Sequence, residues 1–310
     1  MMKPSKLFLD LLEFGGVPHG HEQKYASLLE RYGFQQDQFG NWYKVGQVPV
    51  LITAHLDTVN KRPGPIQYQV RDNYVYASGD EPLGADDRAG VALVLYMSTI
   101  RPDLSYALFI GEEVGMVGSR QAAQAYAQGQ WVFQDLAAVV SLDRKGYTDI
   151  IITQAGTPCA SIEFAEALQD QIPILTSLEH GVYTDSYAFV GLVPNATNLS
   201  VGYFNAHSPK ESQDLAFLDR LGEYLVMADW SHLAEVSRAH PVDPSEVAFK
   251  PRKGYNTVAP PWVFEDYSYS TEELAQKLYD RLVTDPAFMV EFVYAIAEDY
   301  PEWLSDLLDR

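Results

Sequence analysis

Eight side chains in this 310-residue chain combine the right chemistry with a telling placement: His55, Asp57, Asp86, Asp87, Glu112, Glu113, Asp143 and His207. Most lie where an apolar run ends. Pro49 to Ala54 leads into His55-Leu56-Asp57, Ser105 to Ile110 into Gly111-Glu112-Glu113, and Ala137 to Leu142 into Asp143. Asp86 and Asp87 stand between a Leu83-Gly84-Ala85 turn and the apolar run Val91 to Met97. One acid there would serve a helix N-terminus, where a carboxylate meets free N–H groups and the positive end of the dipole. The second acid exceeds that need.

Taken singly, each residue has an ordinary explanation: a histidine held by a nearby acid, a solvated Glu112-Glu113 loop, an Asp143 paired with Arg144. Taken together they do not. Carboxylates converging on one partly desolvated end of a sheet repel one another unless a cation lies between them. Carboxylate and imidazole without thiolate suit borderline divalent ions such as zinc, manganese or cobalt. Two ions sharing one carboxylate would neutralise such a cluster.

The elements that must position these groups are legible as alternating strands and helices. The pattern predicts helices over Leu7 to Phe14, Gly20 to Tyr32, Arg88 to Thr99, Ser119 to Gln128 and, as one long amphipathic element, Gln213 to Val236. It predicts hairpins over 34–45 and 68–76, apolar strands at 49–54, 105–110 and 137–142, and a further strand at 194–199 running towards His207. Ile150 to Ile152 and Cys159 to Phe164 read as strand-like, and Asp185 to Val190 as a helix start. The expected fold is an α/β three-layer sandwich with a mostly parallel central sheet, its ligands past the carboxyl ends of the strands. From His240 the chain turns rich in proline, then acidic, with three short helical stretches. The expected division is therefore a catalytic domain over 1–240 and a small helical C-terminal appendage over 241–310.

A net charge of -20 excludes the Lys/Arg clusters that nucleic acid requires and disfavours anionic lipid. One cysteine, Cys159, permits neither an intramolecular disulfide nor a cysteine-rich metal site. The early apolar run breaks at Asp10, and no stretch has the length of a membrane span. A cytoplasmic protein is the expectation, with no nucleic-acid or membrane partner and with homo-oligomerisation left open.

Five blocks, in order, resemble the co-catalytic di-zinc exopeptidase superfamily. They are Ala54-His55-Leu56-Asp57, Leu83-Gly84-Ala85-Asp86-Asp87-Arg88-Ala89-Gly90, Gly111-Glu112-Glu113-Val114-Gly115, Leu142-Asp143 and Ala206-His207-Ser208-Pro209-Lys210-Glu211. The resemblance implies the zinc exopeptidase/phosphorylase-like fold and two divalent ions, zinc first, with cobalt or manganese as alternatives. It implies that Asp86 bridges the ions, that His55 and Asp143 complete one site, and that Glu113 and His207 complete the other. Glu112 would be the general base, taking the proton of a metal-activated water and passing it to the leaving amine. Asp57 would hold the far nitrogen of His55, and the Asp86–Asp87 peptide would be cis.

The intervals His55 to Asp86 and Asp143 to His207 are too short for the extra domain that some relatives insert there. The lidless leucyl-aminopeptidase type is thus the architectural match, although the Asp86 and Glu113 blocks are similar to peptidase T and the tetrahedral aminopeptidases. The loop His180 to Ser186 stands where lidless relatives have a pocket loop, making Tyr183 a candidate oxyanion donor and Asp185 a candidate for the metal shell or a substrate amine. The expected activity is cleavage of a terminal amide of a small peptide by an aminopeptidase. A deacylase acting on an acyl amino acid, or a non-catalytic metal-binding protein of the same fold, are the alternatives.

Overall fold

A computed structural model describes residues 3–243. The strands are Gln35–Gln36 (β1), Trp42–Lys44 (β2), Val50–His55 (β3), Tyr68–Arg71 (β4), Tyr74–Ala77 (β5), Ser105–Phe109 (β6), Ala138–Arg144 (β7), Asp149–Gln154 (β8), Thr157–Pro158 (β9), Ser177–Gly181 (β10), Asn195–Ser200 (β11), Tyr203–Phe204 (β12) and Ser212–Asp214 (β13). The α-helices are Pro4–Leu12 (α1), Ala26–Arg31 (α2), Ala85–Ile100 (α3), Val117–Ala127 (α4), Ile162–Gln171 (α5), Leu215–Met227 (α6) and Trp230–Ala239 (α7).

Among the described residues, the main sheet runs β1-β2-β6-β3-β7-β11-β8-β10, with β9 beside β8. Its centre, β6-β3-β7-β11, is parallel, while β2 joins β6 and β8 joins β11 in antiparallel fashion. Every residue of β3, β6 and β11 is buried. That is why β3 and β6 read as mostly apolar runs rather than as alternating ones, while β11 buries the polar side chains of Asn195, Thr197, Asn198 and Ser200. One face carries a core of Leu7, Leu11, Val94, Met97, Leu221 and Trp230 from α1, α3, α6 and α7. The other is packed by Phe109, Ala122, Trp131, Phe133 and Phe189. A small antiparallel sheet, β12-β13-β5-β4, stands beside these layers.

Two sequence expectations fail for local reasons. Cys159 to Phe164 is not a strand, because the Ser161 side chain accepts from the Phe164 N–H and starts α5. The long helix expected over 213–236 is two helices. Residues 212–214 pair with β5 instead, Asp214 caps α6, and Asp229 accepts from the His232 N–H to start α7. A short capping side chain competes well with helix continuation, and amphipathic periodicity does not register it. The helical appendage expected over 241–310 lies outside the described residues, apart from its first three.

Helix α3 is what the site rests on, and 14 of its residues, Ala85 to Ser98, are buried. Gly90 lets it approach β7: a Cβ there would lie 2.1 Å from the Leu142 carbonyl oxygen. Leu93 in this helix is 0% exposed, so Leu93→Ala is expected to cost ~2–5 kcal/mol. Urea unfolding measures it, and a loss under ~1 kcal/mol would contradict the packing of α3 described here.

Candidate metal centre

The parallel strands deliver the site at their carboxyl ends, where open α/β sheets place ligands. His55 is the last residue of β3, and Asp143 lies near the end of β7. Glu112 and Glu113 occupy the turn after β6, Asp86 and Asp87 open α3, and His207 follows β12. The peptide between Asp86 and Asp87 is cis. His207 has a left-handed backbone (φ +63°), a conformation that is uncommon for residues other than glycine and that clusters at functional sites.

The candidate ligand atoms form two groups that share one residue. Those of His55, Asp86 and Asp143 lie within 4.8 Å of one another, as do those of Asp86, Glu113 and His207. The two Asp86 oxygens are divided between them. Oδ1 is 3.0 Å from His55 Nε2, and Oδ2 is 3.2 Å from His207 Nε2. His207 Nε2 is also 3.2 Å from Glu113 Oε2, and His55 Nε2 is 3.8 Å from Asp143 Oδ1.

The electrostatics fit divalent cations. Burial pushes the Asp143 carboxyl well above its usual range, and the Asp86 charge pushes it further. Glu112 is likewise driven well up, by burial and then by Asp143, Glu113 and Asp185 against the pull of His55. Asp86 goes the other way: burial would raise it, but the His207 and His55 imidazoles hold it well below the carboxylate range. His207, opposed by burial, is pushed up to about 12 by Asp86 and Glu113. Such a group of acids asks for positive charge, toward which the His55 and His207 imidazoles are turned. Glu113 Oε1 is buried with no hydrogen-bond partner among the described residues, a cost that a cation would remove.

Neighbouring side chains hold these ligands still. Asp143 Oδ2 accepts from Thr184 Oγ1 at 2.5 Å, and Oδ1 from the Tyr203 hydroxyl at 3.2 Å. Asn198 fastens the Asp143 backbone through both its amide N–H and its carbonyl. Asp87 accepts from the His55 and Gly90 N–H groups, so it serves the helix start and also fixes a ligand residue. Arg88, 1% exposed, donates to the carbonyls of Leu83, Gly84 and Gly15. Gly84 makes room for it: a Cβ there would lie 2.0 Å from Arg88 Nη1.

Asp57 faces His55 and does more besides. His55 Nδ1 is 3.0 Å from the Asp57 carbonyl oxygen and 3.5 Å from its carboxylate. The carboxylate also accepts from the Glu112 and Glu113 N–H groups, at 3.0 and 3.1 Å. It anchors the loop of the expected base.

Asp185 is buried on the same side, close enough for its charge to act on Glu112, whereas Tyr183 is 46% exposed and stacks on Tyr187. Sequence reading gave no role to Thr184, Asn198 or His19. His19 bonds Glu22 through Nδ1 at 2.7 Å, within reach of Asp57. Its ring lies 2.9 Å from where a Gly111 Cβ would stand. No spacing pattern signals these residues, because each acts from a separate element.

The exopeptidase resemblance holds: residues 42–180 match Peptidase family M28, a span that includes His55, Asp86, Glu113 and Asp143 but not His207. A protein of Pyrenophora tritici-repentis (strain Pt-1C-BFP) called a probable zinc metalloprotease is 32% identical over 102 residues, 31% of this chain and 20% of that protein. The match spans about a fifth of the length of the curated relatives. Among solved structures, aminopeptidase PepT from Bacillus cereus ATCC 10987 superposes with a TM-score of 0.59 at 16% identity, over 76% of this chain and 98% of that one. Aminopeptidase APDkam598 from Desulfurococcus kamchatkensis gives 0.58 at 16% identity, over 76% and 98%. The Pyrococcus horikoshii TET1 peptidase gives 0.55 at 16% identity, over 71% and 98%. They share the α/β fold with this chain.

Asp185 supplies a test in the metal-free protein. Burial pushes its carboxyl up to about 7, with His55 opposing and Asp57 and Glu113 adding. The folded form therefore holds this proton where the unfolded form has lost it. Stability falls as pH rises from about 4 to about 7. Asp185→Asn removes the ionisation, so its stability relative to the parent should improve steadily across that window. Chemical denaturation at several pH values reads this, and an offset independent of pH would contradict it.

Proposed function

We propose that this chain is a two-metal exopeptidase, an aminopeptidase that hydrolyses the terminal amide of small peptides. The observation that carries the reading is the division of Asp86, one oxygen toward His55 and the other toward His207. His55, Asp86 and Asp143 would hold one ion, and Asp86, Glu113 and His207 the other. Zinc suits this nitrogen and oxygen donor set, and the name of the curated relatives supports that choice. Two bound ions would supply a water of lowered pKa and polarise the scissile carbonyl.

The chain's own residues do the rest. Glu112 is half-buried beside ligand Glu113, and its raised proton affinity suits a group that takes a proton and returns it. Asp57 keeps the Glu112 backbone in place through the two N–H contacts. Asp185 is the acid available to a substrate amine, and Tyr183, in the same loop, is the candidate oxyanion donor. That loop, His180 to Ser186, carries no arginine or lysine to receive a substrate carboxylate, which favours an aminopeptidase over a deacylase. Among the described residues no helix is long and apolar enough to cross a membrane. The reading keeps the protein cytoplasmic. The Pyrococcus horikoshii TET1 peptidase can assemble into a tetrahedron or a large octahedral shell, which supports a homo-oligomer here.

Three measurements test this reading. Protein loaded with zinc should hold about two ions per chain by elemental analysis, and chelation should abolish turnover. Glu112→Gln should retain those ions while kcat falls by about 10²- to 10⁴-fold; near-parental turnover would remove Glu112 from its role. Free dipeptides should be cleaved and amino-terminally blocked ones spared. The opposite preference would make the enzyme a deacylase.

A further inference from the structure

Glu211 is 0% exposed, and its carboxylate reaches across the fold to the start of α3. Oε2 accepts from the Gly84 N–H at 2.6 Å, and Oε1 from the Asp86 N–H at 3.0 Å. The first N–H groups of a helix need partners, and a side chain just ahead of the helix ordinarily supplies one. Gly84, in a left-handed conformation, has none to offer. These two N–H groups, just ahead of the point where Asp87 caps the helical backbone at Gly90, are satisfied by a residue 125 positions from Asp86.

That residue belongs to the loop that carries His207. The Glu211 N–H donates to the Ser208 carbonyl, and the Glu211 carbonyl accepts from the Ala77 N–H. One side chain thus joins the backbone of Asp86 to the loop of His207, between which the 3.2 Å contact forms. In the other group only the shared Asp86 touches this link. His55 and Asp143 are carried by β3 and β7, adjacent parallel strands.

A buried carboxylate is also a costly cap. A serine or asparagine would satisfy the helix start without that penalty.

We infer that Glu211 is a positioning residue that sets Asp86 against His207 and so builds the Asp86/Glu113/His207 site selectively. This rests on the two-metal reading. Isothermal titration of zinc into the metal-free full chain separates the two ideas. The parent should bind two ions. Glu211→Gln keeps the shape but brings an amide N–H up to one of the two donors. It should bind the first ion as the parent does and the second about 10- to 100-fold more weakly. Cobalt(II) absorption, titrated in parallel, should show the first site unchanged and the second altered.

Two unchanged affinities would overturn the inference, as would equal weakening of both, which marks general support of the fold. A parent that binds a single ion would sink the two-metal reading and this inference with it. If circular dichroism shows Glu211→Gln unfolded, Glu211→Asp, charged but one methylene too short for both N–H groups, takes its place. Failure of both variants to fold would assign Glu211 to the fold at large and overturn the inference.

Discussion

The arrangement around Asp86 imposes a constraint that the rest of the molecule answers. Asp86, Asp143, Glu113 and Glu112 are brought close together at one end of a sheet whose central strands are dry on both faces. Carboxylates so placed raise one another's proton affinity, and Asp143 and Glu112 carry that cost. Asp86 escapes because an imidazole faces each of its oxygens. Burying unpaired charge is among the more expensive things a fold does. It persists here because the strands and α3 leave the ligands nowhere else to go.

Rigidity comes from a repeated device. Three carboxylates outside the two ligand triads each accept from two backbone N–H groups, and in each case a ligand residue is one of the donors. Asp57 holds Glu112 and Glu113, Asp87 holds His55 and Gly90, and Glu211 holds Gly84 and Asp86. Charge-assisted bonds to backbone are short and directional. They fix where a ligand's Cα sits rather than only how its side chain turns. A metal centre needs that precision, since its affinity depends on groups behind the ligands as well as on the ligands themselves.

The same layout explains where substrate chemistry would occur. The candidate ligands sit at strand ends, at the start of α3 and in the turns after β6 and β12, while Tyr183 and Val114 stand at exposed loop positions. Loops of this kind vary without disturbing the sheet. Peptide preference would therefore reside in the segments around 112–116 and 180–186, and the reaction in the strand ends.

By itself the sequence determined the α/β alternation and the buried strands, because long apolar runs are local signals, while the set His55, Asp86, Glu113, Asp143 and His207 followed from the resemblance of its motif blocks. It also marked the Asp86–Asp87 pair as more than a cap, and the order of its motif blocks pointed to the exopeptidases. Helix boundaries that depend on one capping side chain, Ser161 or Asp229, escaped it. So did the turn of the Asp57 carboxylate toward the Glu112 loop, the grip of Thr184 and Tyr203 on Asp143, and the reach of Glu211 to the α3 start. Only the tertiary structure decided these, since each is a hydrogen bond between segments far apart in the chain, and such bonds leave no periodicity in either segment.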